Sequence, residues 1–183
     1  MTPKMTKTNK LLVADDTFSI RKAMPEDAQA LEELMLETAH WLKEKGSSQW
    51  NEILQGKDVH NLSKKIAANE VFLVQSQDGQ VAGAMIIQES PNDWDKALWE
   101  EEASNKAHYL HRLMVARAFS GQHLSQAMIQ FAATFTISEQ VPRLRLDTKK
   151  DVPVLNQLYQ SAGFTLKGIQ NGYSLYEKIL INP

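Results

Sequence analysis

The spacing of hydrophobic and polar residues changes along positions 107–148, which predicts a strand, a helix and a second strand. Residues 108–116, HYLHRLMVA, form a mostly apolar run rich in residues that favour strands. The apolar positions of the next segment share one helical face: Leu124, Ala127, Met128, Phe131 and Phe135. Pro142 cannot continue that helix, and the alternating RLRLDT after it predicts a strand parallel to the first. This segment is therefore a predicted βαβ unit.

The amino-terminal part predicts a strand followed by two helices. Residues 17–23, TFSIRKA, alternate as a strand does, and Pro25 with the acidic residues after it makes a favourable first helical turn. One face of this helix is apolar as far as a stop at Gly46: Leu31, Leu34, Met35, Thr38 and Leu42. A second helix is expected to have Asp58 as its cap and an apolar side made of Val59, Leu62 and Ile66.

Two glycine dipeptides predict β-hairpins. The Asp-Gly pair at 78–79 separates VFLVQSQ from QVAGAMIIQE, and the Asn-Gly pair at 171–172 separates FTLKG from YSLYEKIL. Gly83, inside one of these runs, indicates a bulge or a close backbone approach. Before the second hairpin, DVPVLNQLYQSAGF is expected to form a helix that stops at Gly163.

Chain length favours a single domain. The 183 residues suffice for one domain with a well-packed core and are too few for two domains of that kind. Residues 1–16 are polar without periodicity, so we expect a flexible leader followed by one domain over 17–183.

The stretch 90–106 is the hardest to assign. Trp94, Leu98 and the acidic residues near them predict a short helix, either simply solvated or placed over the site of a cationic ligand.

Composition and charge exclude several functions. A net charge of −2 without a basic block argues against nucleic acid as the main partner. The sequence contains no apolar run of membrane-spanning length and no signal-peptide pattern, so we expect a cytoplasmic protein. The absence of cysteine excludes disulfides, thiolate metal sites and an acyl-cysteine intermediate. His108 and His111 should point to opposite faces of a strand, and the histidines show no metal spacing, so no metal is expected.

The junction between the first central strand and its helix is a candidate anion site. Backbone N–H groups around Gly121 to Leu124 begin the helix, where unpaired donors and the helix dipole favour a phosphate or pyrophosphate. An ordinary strand-to-helix turn is the alternative on this segment alone. A kinase-like nucleotide site is disfavoured because no P-loop lysine follows the glycine.

This strand, turn and helix resemble the CoA-binding motif of the GNAT acetyltransferases, in which a strand ending in Val precedes R/Q-x-x-G-x-G/A. Ser120 stands here at the R/Q position, His123 at the first glycine and Ser125 at the small residue, while Gly121 matches a frequent additional glycine. Residues 20–34 also resemble the opening strand and helix of the family. The resemblance implies that CoA contacts the following residues: Leu113, Met114, Val115, Ser120, Gly121, Gln122, His123, Leu124 and Ser125.

Further matches concern the chemistry. YQSAGF at 159–164 matches the family's Y-x-x-x-G-F helix end, although Val152 replaces an asparagine that often stands seven residues before the tyrosine. The resemblance gives Tyr159 the role of protonating the departing CoA thiolate. Tyr109 and His111 are expected on the strand face where the family often places its base, and histidine titrates near neutral pH. A buried histidine bonded to the backbone is the alternative for His111.

The resemblance covers roughly residues 17–180 and implies an α/β (α+β) fold. Its sheet is expected to be mixed, mostly antiparallel and twisted, with a central parallel βαβ unit and helices on both faces. In such folds the connection after the first helix lies over the acceptor site, so Gln49 and Trp50 are candidate substrate contacts. Tyr109, on the same strand face as His111, is a third candidate. A tryptophan that packs at the edge of the core is the alternative for Trp50.

The reaction implied by the resemblance is transfer of an acetyl group from acetyl-CoA to a primary amine of a small molecule or peptide, by direct attack in a ternary complex. Acetyl-CoA and the amine are the expected partners, no metal is needed, and a homodimer is left open. A main-chain N–H near residues 113–115 would stabilise the oxyanion. The alternative is a catalytically inactive acyl-CoA sensor, which His123 and Ser125 favour and Tyr159 disfavours.

Overall fold

The computed structural model describes residues 8–57 and 61–182. Within these ranges the chain forms eight strands: β1 (Asn9–Val13), β2 (Asp16–Lys22), β3 (Val71–Gln75), β4 (Val81–Gln88), β5 (His108–Val115), β6 (Arg143–Lys149), β7 (Thr165–Gln170) and β8 (Tyr173–Ile179). The α-helices of the same ranges are α1 (Ala28–Glu44), α2 (Asn51–Leu54), α3 (Leu62–Ala67), α4 (Asp93–Trp99), α5 (Leu124–Ser138) and α6 (Pro153–Ser161).

The strands form one sheet in the order β1-β2-β3-β4-β5-β6-β8-β7. Strands β5 and β6 are parallel, with His108 beside Leu144, and α5 connects them. The pairs β1/β2, β2/β3, β3/β4, β6/β8 and β7/β8 are antiparallel. The predicted mixed, mostly antiparallel sheet with a parallel βαβ unit is therefore confirmed.

Both predicted hairpins are present. Residues 78–79 connect β3 to β4, and residues 171–172 connect β7 to β8. Gly79 and Gly172 have φ values of +85° and +81°, the left-handed region that favours glycine. The register of β3 against β4 shifts next to the pair formed by Val74 and Gly83, which confirms the predicted bulge.

Residues 9–13 differ from the expected flexible leader, because they form β1 and pair with β2. Leu11 and Val13 are buried, whereas Leu12 is 75% exposed. The strand was missed because only two of its positions are buried, and so short an alternation is not distinguishable from a polar segment. Residues 1–7 of the predicted leader lie outside the described residues.

Contacts between residues divide the described chain into two compact units. The first comprises the described residues up to Ile86 together with Arg112–Ala127. The second comprises Ile87–His111 and the described residues from Met128 onward. The expected single domain over 17–183 stays a prediction. No helix in the described part of the chain combines the length and apolarity needed to cross a membrane.

The first unit is built on α1. The predicted apolar face of this helix is buried at each expected position: Leu31, Leu34, Met35, Thr38 and Leu42. It packs in one cluster with Leu73 of β3, Ala84 of β4 and Met114 of β5. Arg21 at the end of β2 donates to both carboxylate oxygens of Asp27, at 2.7 and 2.9 Å, which fixes the strand to the start of the helix.

Helix α3 lies in the second half of the predicted second helix. Leu62 and Ile66 are buried, as predicted from their spacing. The expected cap Asp58 and the apolar Val59 lie outside the described residues.

The second unit contains a buried arginine on β6. Arg145 donates from Nε to Glu177 Oε2 at 2.8 Å and from Nη1 to the Tyr109 hydroxyl at 3.0 Å. Its guanidinium lies 4.4 Å from the centre of the Trp99 ring. A buried charge is tolerated when it has partners of this kind. Trp99 ends α4, so the short helix predicted within 90–106 is confirmed.

Candidate active site

The predicted anion turn connects β5 to α5 in the first unit. After Val115 a short 3-10 helix, Arg117–Phe119, leads to Ser120, whose hydroxyl donates to the Arg117 carbonyl at 2.8 Å. Helix α5 then begins at the buried Leu124 and continues for 15 residues. The turn residues from Ser120 to Ser125 are therefore brought to the amino end of a helix, where the first backbone N–H groups lack helical partners.

Two residues of this turn have left-handed backbone conformations. Gly121 has φ +76° and His123 has φ +63°. An added Cβ at Gly121 would meet no atom within 4 Å, so conformation rather than space favours glycine there. His123 occupies the position where the resembling motif has its first glycine, and its left-handed φ is one that glycine adopts readily.

The carbonyl group of Val115 has an unforeseen partner. Arg117 Nη2 donates to it at 2.7 Å, and the Arg117 guanidinium lies 4.0 Å from the centre of the Trp41 ring. Burial lowers the pKa of Arg117 from its ordinary value. A carbonyl oxygen has two lone pairs, so Val115 can accept a second hydrogen bond from a ligand amide.

Strand β5 is continuous from His108 to Val115 but contains one residue with a left-handed backbone conformation, Arg112, with φ +52°. This irregularity lies between His111 and Leu113, where it disturbs the alternation expected along the strand. The Arg112 guanidinium lies 4.6 Å from the centre of the Trp50 ring and 3.8 Å from Glu52 Oε1. In the sequence, Arg112 stands out as an arginine within an apolar run, but the sequence analysis did not use this signal.

The predicted acceptor contacts Gln49 and Trp50 are half-buried. Trp50 has φ +67° and packs against the core of the first unit. The Gln49 backbone N–H donates to Ser47 Oγ at 3.1 Å. Trp50 is thus a residue at the edge of the core, which was the alternative interpretation, and its contact with an acceptor stays a prediction.

In the second unit, His111 contacts a buried carboxylate. Its Nε2 lies 2.9 Å from Asp95 Oδ1 and 3.2 Å from Oδ2. Asp95 is fully buried and also accepts from Gln88 Nε2 at 2.9 Å and from the Asn92 backbone N–H at 3.1 Å. Because a carboxylate only accepts, the imidazole hydrogen belongs on Nε2, and Nδ1 of the neutral ring carries the lone pair.

Asp95 was not identified from the sequence, although a signal was present. Asn92 and Asp95 form a capping box at the start of α4, in which the Asn92 side chain accepts from the Asp95 backbone N–H at 2.8 Å. The box explains why an aspartate stands there. That its carboxylate also reaches His111 depends on the tertiary fold.

Asp147 of β6 is the second carboxylate near His111. One ligand atom from each of Asp95, His111 and Asp147 lies within 4.8 Å of the others. Trp94 Nε1 donates to both Asp147 oxygens, at 3.1 and 3.3 Å. Burial raises the pKa of the Asp147 carboxyl above its ordinary value; His111 and the Trp94 hydrogen bond act against this, and Asp95 adds to it. An aspartate within an alternating strand was the sequence signal that could have identified it.

These three side chains also have the spacing of a metal site. However, Asp95 Oδ2 already accepts hydrogen bonds from Gln88 and Asn92, and Oδ1 lies 2.9 Å from His111 Nε2, which suits an orienting carboxylate better than a metal ligand. The expectation that the protein needs no metal stays a prediction.

Tyr159 lies on α6 with 8% of its surface exposed. Its ring packs against Phe164 and Tyr176, with ring centres 6.2 and 6.0 Å away. Burial, and secondarily the negative charge of Asp147, raise the pKa of the Tyr159 hydroxyl far above its ordinary value. The hydroxyl is therefore held protonated, and it lies within electrostatic range of Asp147.

Tyr109, the third predicted acceptor contact, is 1% exposed and belongs to the core of the second unit. Its hydroxyl accepts from Arg145, and its ring packs edge-on against Trp99 with centres 6.4 Å apart. Burial raises the pKa of Tyr109, and the Arg145 hydrogen bond opposes this. These contacts describe a structural tyrosine, so its role as a substrate contact stays a prediction.

Comparisons with known proteins bear on the family and the fold of the chain. The model of the Acetyltransferase (GNAT) family matches residues 31–164. An uncharacterized N-acetyltransferase of Bacillus subtilis, YesJ, is 35% identical over 164 residues, which cover 89% of this chain and 91% of that protein.

Solved structures show the same fold. An acetyltransferase of the GNAT family from Listeria monocytogenes has a TM-score of 0.85 and 48% identity, covering 94% of this chain and all of that one (100%). The PaiA N-acetyltransferase from Thermoplasma acidophilum, solved in complex with coenzyme A, has a TM-score of 0.72 and 16% identity, covering 88% and 98%.

Proposed function

The chain belongs to the acetyltransferase (GNAT) family, and from this premise we propose that it transfers an acetyl group from acetyl-CoA directly to a primary amine. The family membership makes it an acyltransferase with N-acetyltransferase relatives. The acceptor class, the ternary complex and the residue roles below are proposals. A relative that holds coenzyme A supports the choice of donor.

The turn after β5 is the proposed pyrophosphate site. Gly121 and His123 both have left-handed φ angles, which turn the chain into α5 at the point where the helix presents its first N–H groups. These main-chain donors are independent of side-chain identity. The replacement of the motif glycine by His123 is therefore compatible with pyrophosphate binding.

His111 is the proposed base. The attacking amine is an ammonium ion near neutral pH, with an ordinary pKa of roughly 10, so it must lose a proton before attack. Asp95 orients the ring through Nε2, and Nδ1 is the proposed acceptor of this proton. The contact between Asp95 and His111 is the observation that carries the proposal, because a buried carboxylate paired with a histidine is the arrangement that general bases require.

Tyr159 is the proposed acid. The amine nitrogen forms its bond to the thioester carbonyl carbon, a main-chain N–H near residues 113–115 stabilises the oxyanion, and the C–S bond then breaks. The leaving thiolate takes the hydroxyl proton of Tyr159, and the second proton, which the nitrogen loses after the C–N bond has formed, restores that hydroxyl. Its raised pKa keeps the hydroxyl protonated before the reaction, so the transfer requires negative charge developing on sulfur close to it.

The proposal is tested by thiol release from acetyl-CoA against a panel of amines, amino acids, polyamines, aminoglycosides and peptide N-termini. We expect release that depends on at least one amine and that yields the N-acetylated product by mass spectrometry. Acetyl-CoA binding without turnover of any acceptor would instead favour a sensor domain. The exposed His123 side chain in the turn is the observation that favours this second function.

A further inference from the structure

We infer that Asp147, held by Trp94, binds the ammonium group of the acceptor and selects amines that arrive as cations. This inference rests on the proposed function and adds to it the charge state of the substrate. It concerns a residue that neither the motif nor the sequence pattern identified.

Among the described residues, no lysine or arginine acts on Asp147. The groups that act on this carboxylate are His111, Trp94 and Asp95. Trp94 donates a neutral N–H to each oxygen, which orients the carboxylate without cancelling its charge. An ammonium ion is the complementary ligand for two carboxylates and one imidazole.

The spacing suits one nitrogen bound by two groups. The N–H bonds of an ammonium group diverge by about 109°, so two hydrogen bonds of about 2.8 Å join acceptor atoms about 4.6 Å apart. The ligand atoms of Asp147 and His111 lie within 4.8 Å of each other. An ammonium group bound to Asp147 would therefore lie close to a ring nitrogen of His111.

Asp147 is better placed for this role than Asp95. Asp95 is fully buried, and its oxygens already contact Gln88, Asn92 and His111. Asp147 is half-buried, and Trp94 beside it is 43% exposed, with its ring centre 4.9 Å from that of Tyr173. These aromatic rings provide a surface on which an alkylammonium can pack.

The same contact would distinguish substrate from product. The bound ammonium gives one proton to His111, the resulting amine forms the new C–N bond, and the nitrogen then loses a second proton, so that the product is a neutral amide. Asp147 keeps its charge throughout and attracts the amide far less than it attracts the ammonium. Acetylation itself thus removes the interaction that holds the acceptor.

The test compares two acceptors that differ in charge. The alkylamine identified by thiol release is used beside the matching alkoxyamine, whose NH2 group is neutral near neutral pH. In Asp147→Asn we expect the ratio of kcat/KM for the alkylamine to that for the alkoxyamine to fall by about 10- to 100-fold, because a charged hydrogen bond is lost for the cation alone. The loss should appear in KM, with kcat at saturation changing little.

Controls separate the outcomes. Asp78→Asn, at the exposed hairpin turn between β3 and β4, should leave the ratio unchanged, and Trp94→Phe should lower it by a smaller factor because the carboxylate loses its orienting donor. Acetyl-CoA affinity and thermal unfolding show that each variant is folded. An unchanged ratio in Asp147→Asn, or an equal fall of kcat for both acceptors, overturns the inference while the acetyltransferase stands. If the wild type acetylates no amine, the proposed function itself fails.

Discussion

The turn from Ser120 to Ser125 and the cluster of Asp95, His111 and Asp147 differ in whether the backbone or the side chains are expected to act. In the turn the backbone is expected to bind the ligand, and the left-handed φ angles of Gly121 and His123 are its defining feature. In the cluster, side chains from α4, β5 and β6, together with Tyr159 of α6, are proposed to carry the chemistry. A backbone site tolerates unusual side chains if its conformation is kept, whereas a side-chain site fails with the loss of one group.

The largest effect is expected for Tyr159→Phe, which keeps the packed ring and removes only the hydroxyl. We expect kcat to fall by roughly 10²- to 10⁴-fold while KM for acetyl-CoA changes little, because the proton donor acts in the transition state. Steady-state kinetics with the best acceptor provide the measurement. Full turnover in this variant would mean that the match of YQSAGF to the family is purely structural.

A second large effect is expected for His111→Gln. Loss of the base should lower kcat by about 10²-fold or more near neutral pH, and the activity should partly recover at alkaline pH, where free amine becomes abundant. Asp95→Asn should lower kcat by a smaller factor and should also recover at alkaline pH, because this change disturbs only the orientation of the His111 ring. A pH-independent deficit in His111→Gln would argue against a role as base.

A moderate effect is expected in the turn, where Gly121→Val introduces a β-branched residue at φ +76°. We expect acetyl-CoA affinity to fall on the order of 10-fold through backbone strain, as measured by calorimetry. His123→Gly is the matched control, because glycine suits the φ of +63° at that position. Its acetyl-CoA affinity should be preserved or improved. Equal losses in both variants would show that side chains, not the backbone, bind the pyrophosphate.

The smallest effect concerns stability. Because burial raises the pKa of Asp147, its ionised form destabilises the fold above that pKa, and the cost disappears below the unfolded value of roughly 3.9. Asp147→Asn should therefore raise the melting temperature near neutral pH, by about 2–4 °C if the gain is of the order of 1 kcal/mol. The difference from the wild type should shrink as the pH falls.

Asp27 provides the opposite case for the same measurement. Its hydrogen bond with Arg21 lowers the pKa of this carboxyl, so its stabilising contribution is present above the unfolded pKa and is lost as the pH falls through the folded one. Asp27→Asn should therefore lower the melting temperature near neutral pH and have little effect in acid. The same sign for both variants would contradict the electrostatic account of Asp147.

The sequence predicted the elements that depend on local pattern. Periodicity located α1 and α5, glycine dipeptides located both hairpins, and the resemblance located the turn and Tyr159. The pairing of Asp95, His111 and Asp147 could not be predicted, because these residues lie in three separate elements. The left-handed backbone conformation of Arg112 could not be predicted either, because no sequence pattern indicates such a conformation for an arginine.

The central claim, direct acetyl transfer to an amine, is tested most directly by a single turnover of protein-bound acetyl-CoA. Free thiol and acetylated amine are measured together after the acceptor is added, and intact-protein mass is recorded in parallel. We predict that thiol and acetylated amine appear at the same rate and in equal amounts, without release before the amine is added. Bound acetyl-CoA that stays intact with every amine of the panel, or an acetylated protein that forms before the product, would contradict this account.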